Sequence, residues 1–180
     1  MPTAQPSTMK QLLKTIPDHE DDKTIELFQL FKSLNKQDCL TKEQLIKILR
    51  WKSPRPLRFY EANSEKTVQE ITSLAFATKN DSLKIHTLTA LTGVNYPAAS
   101  AILMFYNRKK YPVLDIRVWQ QLYKAKLVDT NSRGQNFTLQ QWDNYLTVIR
   151  RLANDLNLTA RQVEKRLFDH DKKTRPDKLY

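Results

Sequence analysis

The sequence predicts an all-α fold, and three observations support this prediction. Three segments begin with a threonine that is followed three residues later by a glutamine, the pattern of a capping box at a helix start. These pairs are Thr41 with Gln44, Thr138 with Gln141 and Thr159 with Gln162. Apolar residues recur at helical spacing behind each start, and no stretch shows the sustained alternation of a β-hairpin. We therefore expect a helical domain.

The elements follow in order along the chain. Apolar residues at a helical period predict five further helices, at 22–34, 64–78, 81–91, 96–105 and about 115–127. The segment 51–60 contains Pro54 and Pro56, which cannot continue a helix, so we expect a rigid, basic loop there. Few apolar anchors occur at the ends. We expect a flexible N-terminus at 1–18, one domain at 19–170 and a basic C-terminal tail at 171–180.

The net charge points to a polyanionic partner. The 180 residues carry a formal charge of +11, and such a balance is typical of proteins that bind nucleic acid. Residues 41–126 hold 15 basic side chains against 6 acidic ones, a net charge of +9. The middle of the chain is therefore the predicted binding region. A merely solvated basic surface is the alternative.

Several classes of protein are not expected from the composition. The single cysteine, Cys39, excludes an internal disulfide framework and a four-cysteine metal site. The uncharged stretch 88–107 is interrupted by polar residues and proline, so we expect no membrane helix. The N-terminus lacks the order of a secretory signal, which indicates a cytoplasmic protein. The three histidines have no metal-ligand spacing, and we expect no cofactor.

A turn between two predicted helices is the first candidate site. Only Gly93 and Gly134 are glycines, and Gly93 lies in the sequence LTGVN at 91–95. Gly93 permits a positive φ, Asn95 tolerates the left-handed region, and Pro97 suits the first turn of the next helix. The exposed amides of such a turn can bind a DNA phosphate. A structural turn that binds nothing explains these residues equally well.

A resemblance to the helix-hairpin-helix superfamily of DNA glycosylases covers about residues 81–123. The resemblance is carried by LTGVNYPAASAIL at 91–103 and YPVLDIRVW at 111–119, with 22 residues from Gly93 to Asp115. It implies that the segment from Thr92 to Asn95 binds phosphate and that Asp115 is the catalytic carboxylate. In this family the carboxylate stabilises positive charge on the sugar or assists water as a flipped base leaves. Asp115 is also a candidate N-cap, and both roles can hold together.

The chain departs from the family pattern at three places. Pro97 stands where bifunctional members carry a lysine nucleophile, Asn95 replaces the second hairpin glycine, and the four-cysteine cluster of some members is absent. The resemblance therefore implies a monofunctional glycosylase without lyase activity and without an iron–sulfur cofactor. Another amine, such as Lys52 or Lys110, remains an open alternative for lyase chemistry. The family layout also implies a hairpin lobe at about 64–126 and a second lobe made of 19–63 and 127–170.

The predicted site combines basic residues for phosphates with aromatic faces for the extruded base. Besides Asp115 it comprises the DNA-binding residues Thr92, Gly93, Val94, Asn95, Lys52, Arg55, Arg58 and Arg117 and the base-pocket residues Trp51, Tyr60 and Trp119. Aromatic residues at helical spacing, Trp119 among them, are also candidates for the core. The expected partner is double-stranded DNA with a modified base, bound by a monomer at the nucleoid. The alternative is a non-catalytic helix-hairpin-helix DNA-binding module; an adaptor for other proteins would leave the Asp115 spacing unexplained.

Overall fold

The computed structural model describes residues 6–176, which form ten α-helices and no strand. The predicted all-α class is therefore confirmed. The helices are α1 Pro6–Thr15, α2 Asp22–Leu30, α3 Lys42–Lys52, α4 Leu57–Glu61, α5 Glu65–Ala77, α6 Asp81–Leu88, α7 Tyr96–Tyr106, α8 Ile116–Lys124, α9 Leu139–Leu156 and α10 Ala160–Thr174. None of the helices in the described part of the chain is long and apolar enough to cross a membrane.

Side-chain caps start eight of these helices, because short polar side chains accept the backbone amides that a first turn leaves unpaired. The three predicted capping boxes are present at α3, α9 and α10. In each, the threonine side chain accepts from the backbone N–H of the glutamine, and the glutamine side chain accepts from the backbone N–H of the threonine. The other five caps, for α2, α5, α6, α7 and α8, are Asp21, Ser64, Asn80, Asn95 and Asp115.

Both chain ends differ from the prediction. Residues 6–15 form α1, which packs against α9 and α10 and buries Met9 and Leu13. This spacing of four residues places the two side chains on one helical face, so a mostly polar segment still anchors. At the other end α10 continues to Thr174, with Asp171 buried beneath its ion pairs. Residues 1–5 and 177–180 of the two predicted ends lie outside the described residues.

The proline-containing segment is also more helical than predicted. Helix α3 continues through Trp51 and Lys52 before it ends, and the short helix α4 begins directly after Pro56. Proline is compatible with this position because a helix start requires no donor from its first residues. The consequence for the site is that Lys52 projects from the end of a helix instead of from a loop.

One continuous cluster of buried apolar residues joins the described helices. Helix α7 lies inside it, buried from Ala98 to Phe105 and packed against α3 and α6. Helix α8 packs against α10, and the connection from α7 to α8 includes the buried residues 111–114. The core therefore holds the N-terminal ends of α7 and α8 in fixed positions, and the candidate site lies at these two ends.

Candidate active site

The turn that joins α6 to α7 has the positive φ at Gly93 that the sequence predicts, but Asn95 is extended, with a φ of −96°, and does not use the left-handed region. Gly93 has a φ of +81°, a value that residues other than glycine rarely adopt. The Asn95 side chain accepts a hydrogen bond from the Ala98 amide at 3.0 Å and starts α7, with Pro97 in the first turn. Val94 is buried and anchors the turn, whereas Thr92, Gly93 and Asn95 are exposed. The exposed residues lie beside the N-terminus of α7, where the helix dipole favours an anion.

Asn63, which the sequence analysis did not single out, fastens this turn to the rest of the protein. Its side-chain oxygen accepts from the Thr92 amide at 2.8 Å, and its amide nitrogen donates to the Thr92 carbonyl oxygen at 3.1 Å. The same nitrogen donates to the Tyr60 carbonyl oxygen at 3.0 Å, and Asn63 is buried. A polar residue directly before the Ser64 cap was the only local signal for this role.

Helix α4 packs directly on the turn. A Cβ atom added to Gly93 would lie 2.7 Å from the Phe59 Cβ and 3.2 Å from the Tyr60 ring, so glycine is required for this approach as well as for its φ. Tyr60 is almost fully buried, and burial raises the pKa of its hydroxyl. Phe59 and Arg58 remain exposed, with the guanidinium 4.6 Å from the centre of the ring.

Asp115 caps α8, as one of the two sequence interpretations predicts. Its Oδ1 accepts from the Arg117 amide at 2.8 Å, and its Oδ2 accepts from the Lys52 Nζ at 3.1 Å. The Asp115 and Lys52 side chains are 13% and 19% exposed. Only one carboxylate oxygen is therefore committed to the helix, and the other faces an amine that comes from 63 residues away in the sequence.

The segment that carries Asp115 is tethered by several helices. The Leu114 amide donates to the Ser100 Oγ on α7 at 2.8 Å, and the Tyr145 hydroxyl on α9 donates to the Val113 carbonyl oxygen at 2.7 Å. The Val113 amide donates to a Glu164 oxygen on α10 at 3.4 Å. Because three helices hold 113–114, the position of Asp115 relative to the N-terminus of α7 is fixed.

Two cavities meet at the Lys52–Asp115 pair, and both residues line each of them. The hairpin cavity, of about 360 Å³, lies beside the α6–α7 turn and is also lined by Ser53, Pro54, Arg55, Pro56, Tyr60, Gly93, Asn95, Pro97, Ala98, Leu114 and Ile116. The aromatic cavity, of about 480 Å³, is also lined by His19, Asp21, Trp51, Val113, Arg161, Glu164, Lys165, Phe168, Asp169 and Lys172. The pair therefore lies between a cleft at the turn and a second cavity whose mostly charged lining includes the rings of Trp51 and Phe168.

A buried charge cluster lines the aromatic cavity. Arg161 pairs with Glu164, and its Nη2 lies 2.9 Å from the Glu20 Oε1. Its guanidinium also lies 5.5 Å from the centre of the Trp51 ring, close enough for a cation–π contact. Burial raises the pKa of the Glu164 carboxyl, and the Arg161 charge opposes that rise.

The structure brings most of the predicted site residues together. Trp51 lines the aromatic cavity, where its indole N–H donates to the Thr24 Oγ1 at 2.9 Å and its ring contacts Phe105 edge-on. Tyr60 and Arg55 line the hairpin cavity together with Gly93 and Asn95. Trp51, Arg55 and Tyr60 were predicted from the mixture of charged and aromatic residues near two prolines. That pattern did not indicate which cavity each side chain would line.

Five predicted site residues line neither cavity: Thr92, Val94, Arg58, Arg117 and Trp119. Two of them are committed to other parts of the protein. Trp119 is fully buried, packs against Phe137 and donates its indole N–H to the Asn131 carbonyl oxygen at 2.8 Å, so it is a core residue. Its helical spacing had indicated that alternative. Arg117 forms an ion pair with Asp171 at 2.7 Å and donates to the Arg175 carbonyl oxygen at 2.8 Å. Its guanidinium thus joins α8 to the end of α10 instead of pointing toward the turn.

Comparisons of the chain with protein-family models, with curated proteins and with solved structures find no match.

Proposed function

We propose that this protein is a DNA glycosylase that hydrolyses the N-glycosidic bond of a damaged or modified base flipped out of double-stranded DNA. The observation that carries the proposal is the position of Asp115, whose carboxylate is anchored at a helix start and lines two cavities beside an exposed glycine turn. Such an enzyme would act as a monomer, at the nucleoid in the cytoplasm. The resemblance of 81–123 to the helix-hairpin-helix glycosylases supports the same assignment.

Binding of DNA at the turn is supported by charge and backbone geometry. The N-terminus of α7 and the exposed Gly93 offer amides to a phosphate, while Arg55 lines the hairpin cavity and Arg58 is exposed on α4. Asn63 hydrogen-bonds to the turn and the side chain of Val94 is buried, so the turn loses little conformational entropy when DNA binds. These contacts would set the position of the strand and would not read its sequence.

The chemistry requires a negative charge close to the sugar. As the base leaves, positive charge develops on the deoxyribose ring, and a preorganised carboxylate stabilises it. The Oδ1 of Asp115 is occupied by its cap, and Oδ2 accepts one hydrogen bond from Lys52, so a further lone pair of Oδ2 is the position for the sugar or an attacking water. Position 97 of the hairpin helix is proline, so that helix offers no amine and water is the expected nucleophile for base removal.

The aromatic cavity is the proposed chamber for the base. Trp51 and Phe168 offer aromatic faces, and the surrounding Asp21 and His19 offer polar atoms to the edge of a base. Stacking on an aromatic face tolerates many bases, whereas hydrogen bonds at the edge select among them. The candidate substrates are therefore alkylated, oxidised, deaminated and bulky modified bases, and one panel of duplexes can test all four.

Release of free base from defined duplexes tests the proposal. A panel of duplexes, each with one modified base of these four kinds, is incubated with the protein, and the free base is measured by chromatography and mass spectrometry. We expect release from one class, leaving a strand that breaks after hot alkali. A panel that gives no release while the protein binds duplex DNA would contradict catalysis.

A non-catalytic DNA-binding module is the second candidate, and one observation favours it. Both oxygens of Asp115 already have partners inside the protein, the Arg117 amide and the Lys52 ammonium, so a purely structural role accounts for its contacts. This candidate predicts DNA binding with no base release from any duplex of the panel.

A further inference from the structure

A basic groove lies at the C-terminal end of α7, the end away from the α6–α7 turn. Two cavities, of about 480 and 710 Å³, adjoin there and share Asn35, Tyr106 and Asn107 as lining residues. We call the two together the α7 groove. At about 1.5 Å per residue, the 11 residues of α7 place it roughly 15 Å from the turn. None of the described residues that line the α7 groove lines the hairpin cavity or the aromatic cavity, so a ligand here would be a second one.

The α7 groove carries an excess of positive charge. Among its described lining residues are seven basic side chains and one acid, Asp81. The Asp81 carboxylate is already held by the Arg150 guanidinium and by the Tyr111 hydroxyl, which donates at 2.6 Å. The exposed cations of the groove, none of which forms an ion pair with another described residue, are Lys32, Lys79, Arg108, Lys109 and Lys110. An anionic ligand would therefore meet charges that no carboxylate of the groove neutralises.

The segment that supplies three of these cations is held in place by its backbone. The carbonyl oxygens of Arg108 and Lys109 accept from the amides of Arg161 and Ala160 at the start of α10, each at 3.1 Å. The Asn107 Oδ1 accepts from the Lys109 amide at 3.2 Å. The backbone of 107–109 is therefore fixed, while the side chains of 108–110 remain exposed.

Two planar stacks lie in the α7 groove. The Arg108 guanidinium is 4.4 Å from the centre of the Phe28 ring, and the Tyr106 and Phe76 rings are stacked with their centres 4.2 Å apart. Arg108 is exposed and Tyr106 is half-buried. Guanidinium planes and aromatic rings are the surfaces on which unpaired bases stack, whereas a duplex presents only the edges of its bases. The stacks therefore favour a single strand over a duplex as the anion.

We propose that the α7 groove binds single-stranded nucleic acid, with phosphates at the exposed lysines and bases at the Arg108 and Tyr106 stacks. Cavities of this size take unpaired nucleotides one or two at a time, and the body of a duplex cannot enter them. Because charge and stacking supply the binding, many sequences should be tolerated. The inference goes beyond the proposed function and does not depend on it, since Asp115 and the α6–α7 turn are not part of the groove.

Photo-cross-linking of the native protein locates the strand. The full chain is bound to a single strand of about 12 nucleotides in which bromodeoxyuridine replaces thymidine, irradiated, digested and analysed by mass spectrometry. We expect the cross-linked peptides to contain Phe28 or Tyr106. Absence of a cross-link, or cross-links confined to Trp51 or to the turn at 92–97, overturns the proposal. This mapping does not depend on whether a variant folds.

Two matched double variants measure the phosphate contacts. Lys109→Gln with Lys110→Gln removes two exposed cations from the groove, whereas Lys124→Gln with Lys126→Gln removes two exposed cations that line neither of its cavities. Each lost contact lowers the log–log salt slope of single-strand binding by about 0.7, so the groove pair should lower it by about 1.4 and the control pair should leave it unchanged. Fluorescence anisotropy of labelled oligothymidylate and oligouridylate gives the slopes, and the tighter of the two strands identifies DNA or RNA as the source. Equal slopes in the two double variants overturn the proposal.

Arg108→Lys tests the stack apart from the charge. Lysine keeps the cation but lacks the guanidinium plane beside Phe28, so the affinity for the single strand should fall about fivefold or more while the salt slope stays the same. An affinity equal to that of the native protein would contradict base stacking at Arg108, and with it the assignment of a single strand.

Binding of duplex DNA by the same variants distinguishes this proposal from the proposed function. The Lys109→Gln, Lys110→Gln double variant should bind a duplex as the native protein does, because the proposed duplex contacts lie at the other end of α7. Equal losses of duplex and single-strand affinity would make the groove a general phosphate-binding face and overturn the single-strand assignment. A protein that releases no base from any modified duplex but cross-links single strands in the groove would remove the proposed function and support this proposal.

Discussion

Two charge clusters line the aromatic cavity, and they differ in how completely their charges are paired. Arg161 meets Glu20 through two nitrogens and Glu164 through a third, and its side chain is 7% exposed. The Lys52–Asp115 pair shares one hydrogen bond and lies open to two cavities. The first cluster has few free positions for a ligand, whereas the second presents a carboxylate oxygen and an amine to one. A charge pair beside a cavity therefore does not by itself mark a site; the hydrogen-bonding positions that the pair leaves open do.

Removal of the Arg161 charge should give the largest effect on stability. In Arg161→Met the carboxylates of Glu20 and Glu164 lose their cation while remaining largely buried, and loss of one partner of a buried pair costs about 3–5 kcal/mol. Denaturant unfolding of the variant and the native protein measures the difference in the free energy of unfolding. A deficit below about 1 kcal/mol would mean that water screens the cluster far more than its burial indicates.

The same variant has a pH dependence that checks the cause. The folded pKa of Glu164 is raised by burial above its ordinary value of 4.5, so its contribution to stability is fully present below that value and is lost as pH rises through the folded pKa. Without Arg161 the folded pKa rises further. The deficit should therefore be smaller at about pH 5 than at about pH 8. An equal loss of unfolding free energy at both pH values would show that the loss comes from packing and not from the charge of Arg161.

Substitution of Asp115 by asparagine should separate activity from stability. Asparagine keeps the cap of α8, so the free energy of unfolding should change by about 1 kcal/mol or less. Loss of the charge should slow base release about 100-fold or more, because a preorganised group beside the cationic sugar has been removed. Single-turnover base release is measured beside DNA affinity, which should be kept or increase.

Two results for Asp115→Asn would change the comparison between the clusters. Base release at the native rate would make Asp115 a helix cap only, as structural as Arg161. A large loss of stability with unchanged DNA affinity would show that the Lys52–Asp115 pair mainly joins α3 to α8.

Local signals predicted much of this molecule. The three capping boxes and the positive φ of Gly93 were predicted from residues within four positions of one another. The same holds for Asp115 as a cap, because its partner is the Arg117 amide. Helix α1 was not predicted because its composition is mostly polar, although the burial of Met9 and Leu13 is enough to hold it against the core.

Long-range contacts were the part that local signals did not provide. Lys52 and Asp115 are 63 residues apart, and Asn63 reaches a turn 29 residues away. Arg161 and Glu20 are 141 residues apart. Arg117 was predicted to bind DNA from its charge beside Asp115, but its guanidinium is taken by Asp171, 54 residues along the chain. Spacing within a motif does not reveal which distant helix a long side chain will meet.

The smallest expected effect concerns which arginine binds phosphate, and it compares Arg58 with Arg117. Arg58 is exposed next to the turn, so Arg58→Gln should remove one phosphate contact and lower the log–log salt slope of duplex binding by roughly 0.9. Arg117→Gln should leave that slope unchanged and lower the melting temperature instead, because its partner Asp171 is buried. Titration of a fluorescent duplex at several salt concentrations measures both slopes. A smaller slope for Arg117→Gln together with an unchanged slope for Arg58→Gln would move the DNA-binding face from the turn to the junction of α8 and α10.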